Sequence, residues 1–138
     1  MAFGDAEKSE LADRLSLLLS IQMLGPLDRP VEVTKIETTR GSINRKAIGY
    51  IYGFIDCALQ CRGQEITDLS VGLPVVYHVM RKLFPGHEQN YIDFLMYNMD
   101  DEIVILGMMA GGQQYKEFLR VGKSPWGLAR FILEGQDE

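Results

Sequence analysis

The chain has 138 residues, of which 46% are hydrophobic and 24% are charged, a composition that excludes a disordered or fibrous protein. A chain of this length matches the usual size of one domain, so residues 1–138 are predicted to form a single compact domain. Acidic residues outnumber basic ones by 19 to 14, which gives a formal net charge of -5. This balance argues against nucleic-acid binding, because such binding depends on Lys and Arg that neutralise phosphates.

The first predicted element is a helix from about Asp5 to Leu24, in which leucines recur at steps of three and four residues. Gly25 and Pro26 end it. The residues before its apolar part are acidic and have no basic flank or small-residue cleavage site, so they do not resemble a signal peptide. The apolar part is too short to span a bilayer. We therefore expect a cytoplasmic protein with no membrane contact.

The next predicted element, residues 31–39, is an extended segment. It is rich in β-branched residues, and its apolar residues partly alternate with polar ones. No other run in the sequence is a convincing strand partner for it. Two arrangements stay open: the segment lies along the helices, or it pairs with its own copy in a dimer.

The rest of the chain is predicted to be helical. Ser42 is a candidate N-cap, Gly63 a left-handed helix end, and Gly72 with Pro74 delays the start of the following helix. Whether residues 98–100 separate two helices stays open. The predicted fold class is all-α, a single compact bundle-like domain of five to six helices with one extended segment near residues 31–39. The predicted helices after the first one run from Ser42 to Arg62, from Leu73 to Phe84, from Glu88 to Met99, from Asp100 to about Arg120, and from Ser124 to Ile132.

Two pairs of glycines lie four residues apart inside predicted helices. One pair is Gly49 and Gly53, in GYIYGFIDCALQC, and the other is Gly107 and Gly111, in GMMAG. A glycine within a helix costs about 1 kcal/mol relative to alanine, and close approach of another backbone is the usual compensation. The spacing therefore predicts that these two helices cross at close range through their glycines.

Three polar side chains are candidate ligand-binding residues beside this crossing. Asp56 and Gln60 share the glycine-bearing face of their helix, and Gln113 follows the second glycine pair. The hypothesis is a pocket at the rim of the crossing in which Asp56 anchors a ligand or acts as a base. The alternative is an aspartate that a neighbouring group pairs with or that water covers at the helix edge.

The cysteines and histidines give no metal, cofactor or catalytic prediction. Cys57 and Cys61 lie four residues apart on one helix, a spacing that rarely reaches disulfide geometry, so they are predicted to be reduced core residues. Together with His78 and His87 they do not form a zinc-binding pattern. Neither histidine has a carboxylate at helical spacing to orient it as a general base. No catalytic residue is assigned, and whether the chain is an enzyme stays open, with a non-enzymatic role favoured.

A basic cluster precedes the second predicted helix. The stretch TTRGSINRK places Arg40, Arg45 and Lys46 next to a glycine and a Ser-capped helix start, where backbone N–H groups are free. This arrangement predicts an anion site for phosphate or carboxylate, although it lacks the longer glycine pattern of a nucleotide loop. The alternative is a solvated basic turn.

The segment GYIYGFIDCAL resembles the Gly-Tyr-x-x-Gly-x-x-acidic segment of small all-helical immunity proteins of bacterial type VI secretion. The resemblance is confined to this segment. Those proteins are periplasmic and carry signal peptides and disulfides. Neither feature is expected of this chain, so their function is not transferred to it.

The function predicted from the sequence is a binding or regulatory role, exercised as a homo-oligomer such as a homodimer or with a protein partner. Seven methionines, six tyrosines and six phenylalanines are more large apolar side chains than a few short helices readily hide. The alternative is a small-molecule or anion-binding protein. Its site would lie between the glycine-bearing helices or at the Arg40, Arg45 and Lys46 cluster.

Overall fold

A computed structural model of the protein describes residues 4–23, 36–37, 42–63, 69–122, 125 and 127–135. The predicted all-α, bundle-like fold class is confirmed, and no β-strand occurs within these ranges. Among the described helices, none is both long and apolar enough to cross a membrane. The six described helices are α1 (Asp5–Met23), α2 (Arg45–Gln60), α3 (Leu69–Leu83), α4 (Glu88–Tyr97), α5 (Glu102–Val121) and α6 (Gly127–Gly135).

Two predicted helix starts were wrong. The N-cap of α2 is Asn44 rather than Ser42, because the Asn44 side chain accepts a hydrogen bond from the Ala47 N–H at 3.0 Å. Helix α3 begins at Leu69, before Gly72 and Pro74. Pro74 lies near the helix start on the exposed side, so its missing N–H removes one hydrogen bond without breaking the helix.

The chain does break between α4 and α5. Asn98 ends α4, and its side-chain amide donates to the Phe94 carbonyl at 2.7 Å. Asp101 then caps α5, accepting from the backbone N–H groups of Ile103 and Val104 at 2.9 and 3.2 Å. At the other end of α5, Gly122 has a φ of 71°, the left-handed conformation that ends many helices. The acids that open α5 therefore include a true capping residue.

Helix α2 is the centre of the core. Its residues from Ala47 to Ile55 are buried, and it contacts α3, α4, α5 and α6. Helix α1 packs on α3 and α6 through Leu11, Leu15 and Leu19, each at most 1% exposed. Helix α2 is apolar on nearly all sides, and a helix of this kind is stable only in an interior position.

Buried amide side chains attach α6 to the rest of the bundle. The Gln114 Oε1 atom accepts hydrogen bonds from the Gly127 N–H and the Tyr50 hydroxyl, both at 2.8 Å. Gln22 accepts from the Leu128 N–H at 3.0 Å, so two side chains from other helices satisfy N–H groups of the first turn of α6. These bonds fix the start of α6 against α1, α2 and α5.

Only Ile36 and Glu37 of the predicted extended segment are among the described residues. Glu37 forms an isolated antiparallel bridge with Ile43, and the Ile36 carbonyl accepts from the Asn44 N–H at 2.9 Å. The Ile36 N–H donates to the Tyr91 hydroxyl at 3.0 Å, and the Ile36 side chain is buried. This short piece is therefore attached to α4 and to the start of α2; residues 31–35 and 38–39 lie outside the described residues.

Candidate functional site at the crossing of α2 and α5

The predicted glycine pairs meet at the contact between α2 and α5. A Cβ atom added at Gly49 or Gly53 would overlap the carbonyl oxygen of Val104 or of Met108. A Cβ atom at Gly107 or Gly111 would in turn overlap the carbonyl oxygen of Lys46 or of Tyr50. The two backbones are thus in direct contact, and no residue larger than glycine fits these positions without moving a helix.

The two helices run parallel and in register. Near their starts, the Arg45 guanidinium lies 2.9 Å from a carboxylate oxygen of Asp101. Further along, Gly112 lies next to Cys57, so the contact pairs keep the same order along both chains. The residues that follow the glycines by about one turn on each helix therefore lie on the same side of the contact.

A groove of about 380 Å³ opens along one side of this contact. Asp56, Gln60 and Gln113, which were predicted to lie near one another, all line it. Its volume falls within the range of about 300 to 1,000 Å³ that is typical of ligand pockets. The groove is lined by Gly53, Asp56, Cys57 and Gln60 from α2 and by Met108, Met109, Gly112, Gln113 and Lys116 from α5.

Asp56 has only one of its carboxylate oxygens engaged. The Oδ2 atom accepts from the Gln60 side-chain amide at 3.1 Å. The Oδ1 atom is buried and has no hydrogen-bond partner among the described residues. Burial raises the pKa of Asp56 above its ordinary value, and the hydrogen bond from Gln60 opposes this increase. A buried oxygen without a partner is unfavourable, which makes Asp56 the most unusual polar group of the groove.

Lys116 and Cys57 complete the polar lining. Lys116 is exposed and forms no ion pair with the described residues. Burial raises the pKa of the Cys57 thiol to about 11; Cys61 adds to the increase, and Lys116 reduces it. Because the thiolate is the reactive form of cysteine, this increase disfavours reaction at Cys57. Both cysteines are free thiols, and Cys61 is exposed rather than part of the core.

The predicted basic cluster is separate from this groove. Arg45 is paired with Asp101, and the hydrogen bonds that Asp101 accepts from Val104 and Arg45 hold the pKa of that carboxyl below its ordinary value. The Lys46 ammonium lies 4.4 Å from the centre of the Phe131 ring. Arg40 lies outside the described residues. Both described cations therefore already have intramolecular partners, and the structure does not place an open anion site between them.

One polar contact was missed because its partners are distant in sequence. His78 of α3 lies 2.9 Å from a carboxylate oxygen of Asp13 on α1, and Lys82 lies 3.9 Å from the same carboxylate. Helical spacing relates residues of one helix only, so it gives no sign of a carboxylate on another helix. No sequence signal identifies Asp13, so this link between α1 and α3 emerges only from the fold.

The side of α5 that faces away from α2 exposes large apolar residues. Ile105, Leu106 and Met109 are 38%, 54% and 66% exposed. An acidic residue precedes them and a basic one follows them on the same stripe, since Glu102 and Lys116 are exposed as well. We call this surface the α5 outer face; it consists of Glu102, Ile105, Leu106, Met109, Gln113 and Lys116.

Comparisons with known proteins identify no relative. No family model matches the chain, and no curated protein or solved structure shows significant similarity to it. Within the described part of the chain, no three His, Cys, Asp or Glu side chains converge as metal ligands would.

Proposed function

We propose that this protein is a protein-interaction protein that forms a homodimer through the α5 outer face. The observation that carries this proposal is the exposure of Ile105, Leu106 and Met109 at adjacent positions of one helix. Single exposed apolar residues are common on protein surfaces, whereas a contiguous group rimmed by polar residues is typical of interfaces. Burying such a group contributes about 25 cal/mol for each Å² of apolar surface removed from water.

The charges on the α5 outer face favour a second copy of the chain as the partner. Glu102 lies at the start of the face and Lys116 near its end. Two antiparallel copies of α5 related by a two-fold axis at Met109 place Glu102 of one copy beside Lys116 of the other, twice. Met109 then packs on its symmetry mate, with Ile105 and Leu106 on either side. A surface that is complementary to itself in this way suits a two-fold symmetric interface.

The test is sedimentation equilibrium on the wild type and on Leu106→Glu. We expect a concentration-dependent dimer for the wild type and a dimer dissociation constant raised more than about tenfold for Leu106→Glu, because a charge would be buried against apolar side chains. Leu17→Glu is the matched control, since Leu17 is 61% exposed on α1, away from the α5 outer face. A monomeric wild type, or dissociation by Leu17→Glu alone, would overturn the proposal.

A charge exchange tests the antiparallel arrangement itself. Lys116→Glu places like charges opposite each other and is expected to weaken the dimer. The double variant Glu102→Lys, Lys116→Glu restores opposite charges across the axis and should recover the wild-type dissociation constant. A parallel pairing of α5 places like residues side by side, so all three forms would have like charges together, and neither variant would differ from the wild type in dissociation constant.

We also propose a cytoplasmic location for the dimer. The support is chemical: Cys57 of α2 and Cys61 at the C-cap of that helix are free thiols, which fits a reducing compartment. Fractionation of cells that express the protein with a small tag tests this location, and recovery in a secreted or periplasmic fraction would contradict it.

A further inference from the structure

We propose that the groove between α2 and α5 holds the Ile105 side chain of the second copy in the homodimer. This inference rests on the dimer proposed above and assigns an occupant to the groove. Helix α5 lines the groove with residues of two adjacent turns, among them Met109, Gly112, Gln113 and Lys116. Four residues with this spacing form the hole into which a side chain of a facing helix inserts in coiled-coil packing.

The register of the antiparallel dimer places Ile105 at the level of this hole. The two-fold axis passes at Met109, so a residue that precedes Met109 on one copy lies beside residues that follow it on the other. Ile105 precedes Met109 by four residues, which is about 6 Å along the helix, and the centre of the hole lies about 5 Å after Met109. Ile105 of the second copy is therefore level with the hole.

Ile105 also lies on the side of α5 that borders the groove. Gly112 follows Ile105 by seven residues, or about two turns, so both lie on the same side of the helix. Leu106 lies about 100° further round. The two-fold axis is perpendicular to both helices and keeps the groove sides of the two copies together. Ile105 of each copy thus faces the groove of the other, whereas Leu106 packs on the opposite side of the contact.

The hole is open towards α2 because a glycine borders it. A Cβ atom at Gly112 would lie 3.7 Å from the Gly53 carbonyl oxygen and 3.9 Å from the Cys57 Cβ atom, so the space beside Gly112 reaches the surface of α2. Cys57 is a small apolar residue, and Met108 and Met109 adapt readily to the shape of a neighbour. An inserted isoleucine can therefore contact α2 as well as α5.

The polar residues of the groove are compatible with an apolar occupant. The Oδ1 atom of Asp56 is buried and hence absent from the groove surface, and its Oδ2 atom accepts the hydrogen bond from Gln60. Lys116 lies at the far end of the hole, where the dimer pairs it with Glu102 of the second copy. Because Glu102 precedes Ile105 by three residues, one register places Ile105 in the hole and Glu102 beside Lys116.

Two isoleucines of α5 with nearly equal exposure provide the first test. Ile105 is 38% exposed and belongs to the α5 outer face, and Ile103 is 36% exposed and does not. Sedimentation equilibrium compares Ile105→Ala and Ile103→Ala with the wild type. We expect Ile105→Ala to raise the dimer dissociation constant at least about tenfold, because each copy loses a side chain that the dimer buries, and Ile103→Ala to change it less than about twofold. Equal effects would overturn the proposal.

Filling the hole distinguishes insertion from a simple contact of two helix surfaces. Gly112→Leu places a side chain where Ile105 of the second copy inserts, and should raise the dimer dissociation constant at least about tenfold. The double variant Ile105→Ala, Gly112→Leu exchanges the large and the small residue across the axis and should return to within about threefold of the wild type. Circular dichroism checks that both variants are folded. A folded Gly112→Leu variant that dimerises as tightly as the wild type would overturn the proposal.

A cross-link measures the same contact without a bulky residue at position 112. Ile105→Cys and Gly112→Cys are introduced together with Cys61→Ser, which removes the exposed native thiol, and a short bismaleimide is added. We expect covalent dimers in which peptide mapping finds position 105 of one copy joined to position 112 of the other. With Ile103→Cys in place of Ile105→Cys, only a small fraction of that yield is expected. Equal yields would contradict insertion.

The outcomes keep this inference distinct from the homodimer itself. A monomeric wild type would overturn both proposals. A wild-type dimer that Leu106→Glu dissociates would support the homodimer. If, in that dimer, Ile105→Ala and Ile103→Ala have equal effects and no cross-link joins positions 105 and 112, the homodimer stands and only the insertion of Ile105 is overturned.

Discussion

The two faces of α5 differ in what they present to their surroundings. The inner face is buried and includes Gly107 and Gly111, whose positions allow the backbone of α2 to make direct contact. The outer face retains large side chains, among them Leu106 and Met109, and leaves them exposed. The inner face therefore packs closely because its glycines have no side chains, whereas the outer face presents large apolar side chains to its surroundings. Neighbouring residues of α5 should consequently respond in opposite ways to the same substitution.

The largest expected effect comes from adding one methyl group to the inner face. Gly111→Ala should destabilise the fold by about 3 kcal/mol, because the new Cβ atom overlaps the Tyr50 carbonyl oxygen and the helices must separate. Urea denaturation of the variant and the wild type measures this difference, with equal m-values as a check on two-state behaviour.

Gly112 provides the matched control for that substitution. A Cβ atom there would lie 3.7 Å from the Gly53 carbonyl oxygen, an ordinary contact distance. Gly112→Ala should be neutral or stabilising by up to about 1 kcal/mol, since alanine is the better helix former. Equal destabilisation by Gly111→Ala and Gly112→Ala would indicate that the helices do not meet through the glycines as described.

The inner face was largely predictable from the sequence. Each of two apolar helices carries a pair of glycines four residues apart, and glycines inside a helix destabilise it relative to alanine unless another backbone packs closely against them. Because the sequence contains two such pairs, each pair could be predicted to pack against the other. The grouping of Asp56, Gln60 and Gln113 follows from the same argument, because residues one turn beyond a helix contact share its rim. The aromatic and methionine count indicated apolar surface without showing that α5 carries it.

Other features depend on the tertiary structure and could not be predicted. Gln114 is the acceptor for an N–H group of α6, and the sequence gives no sign that these residues meet. Asp13 and His78 likewise meet only because α1 packs on α3. The N-cap of α2 was predicted wrongly for a local reason, because Ser42 and Asn44 are both good capping residues. The bridge between Glu37 and Ile43 fixes the chain just before the helix, so that Asn44 is the residue at the N-cap position.

The next effect in size compares two adjacent glutamines of α5. Gln114→Ala should cost about 2 kcal/mol, because it leaves the Gly127 N–H and the Tyr50 hydroxyl without their acceptor in the core. Gln113→Ala, on the outer face, should change stability by less than about 0.5 kcal/mol. Thermal unfolding followed by circular dichroism measures both. A small effect of Gln114→Ala would mean that α6 is held mainly by its apolar contacts.

A smaller effect, with a distinctive dependence on pH, is expected for Asp56. Burial raises its folded-state pKa above the ordinary value of 3.8, so the folded protein holds a proton on Asp56 at pH values where the unfolded chain has released it. At neutral pH the charged, partly buried carboxylate destabilises the fold, and Asp56→Asn should raise the melting temperature. As the pH falls through the folded-state pKa to below 3.8, the wild type recovers this difference.

Melting curves of the wild type and Asp56→Asn at neutral and acidic pH measure this dependence. Asp93→Asn, at the exposed pair on α4, serves as the control and should show no such gain at neutral pH. An Asp56→Asn variant less stable than the wild type at neutral pH would mean that the carboxylate is satisfied in the unliganded fold.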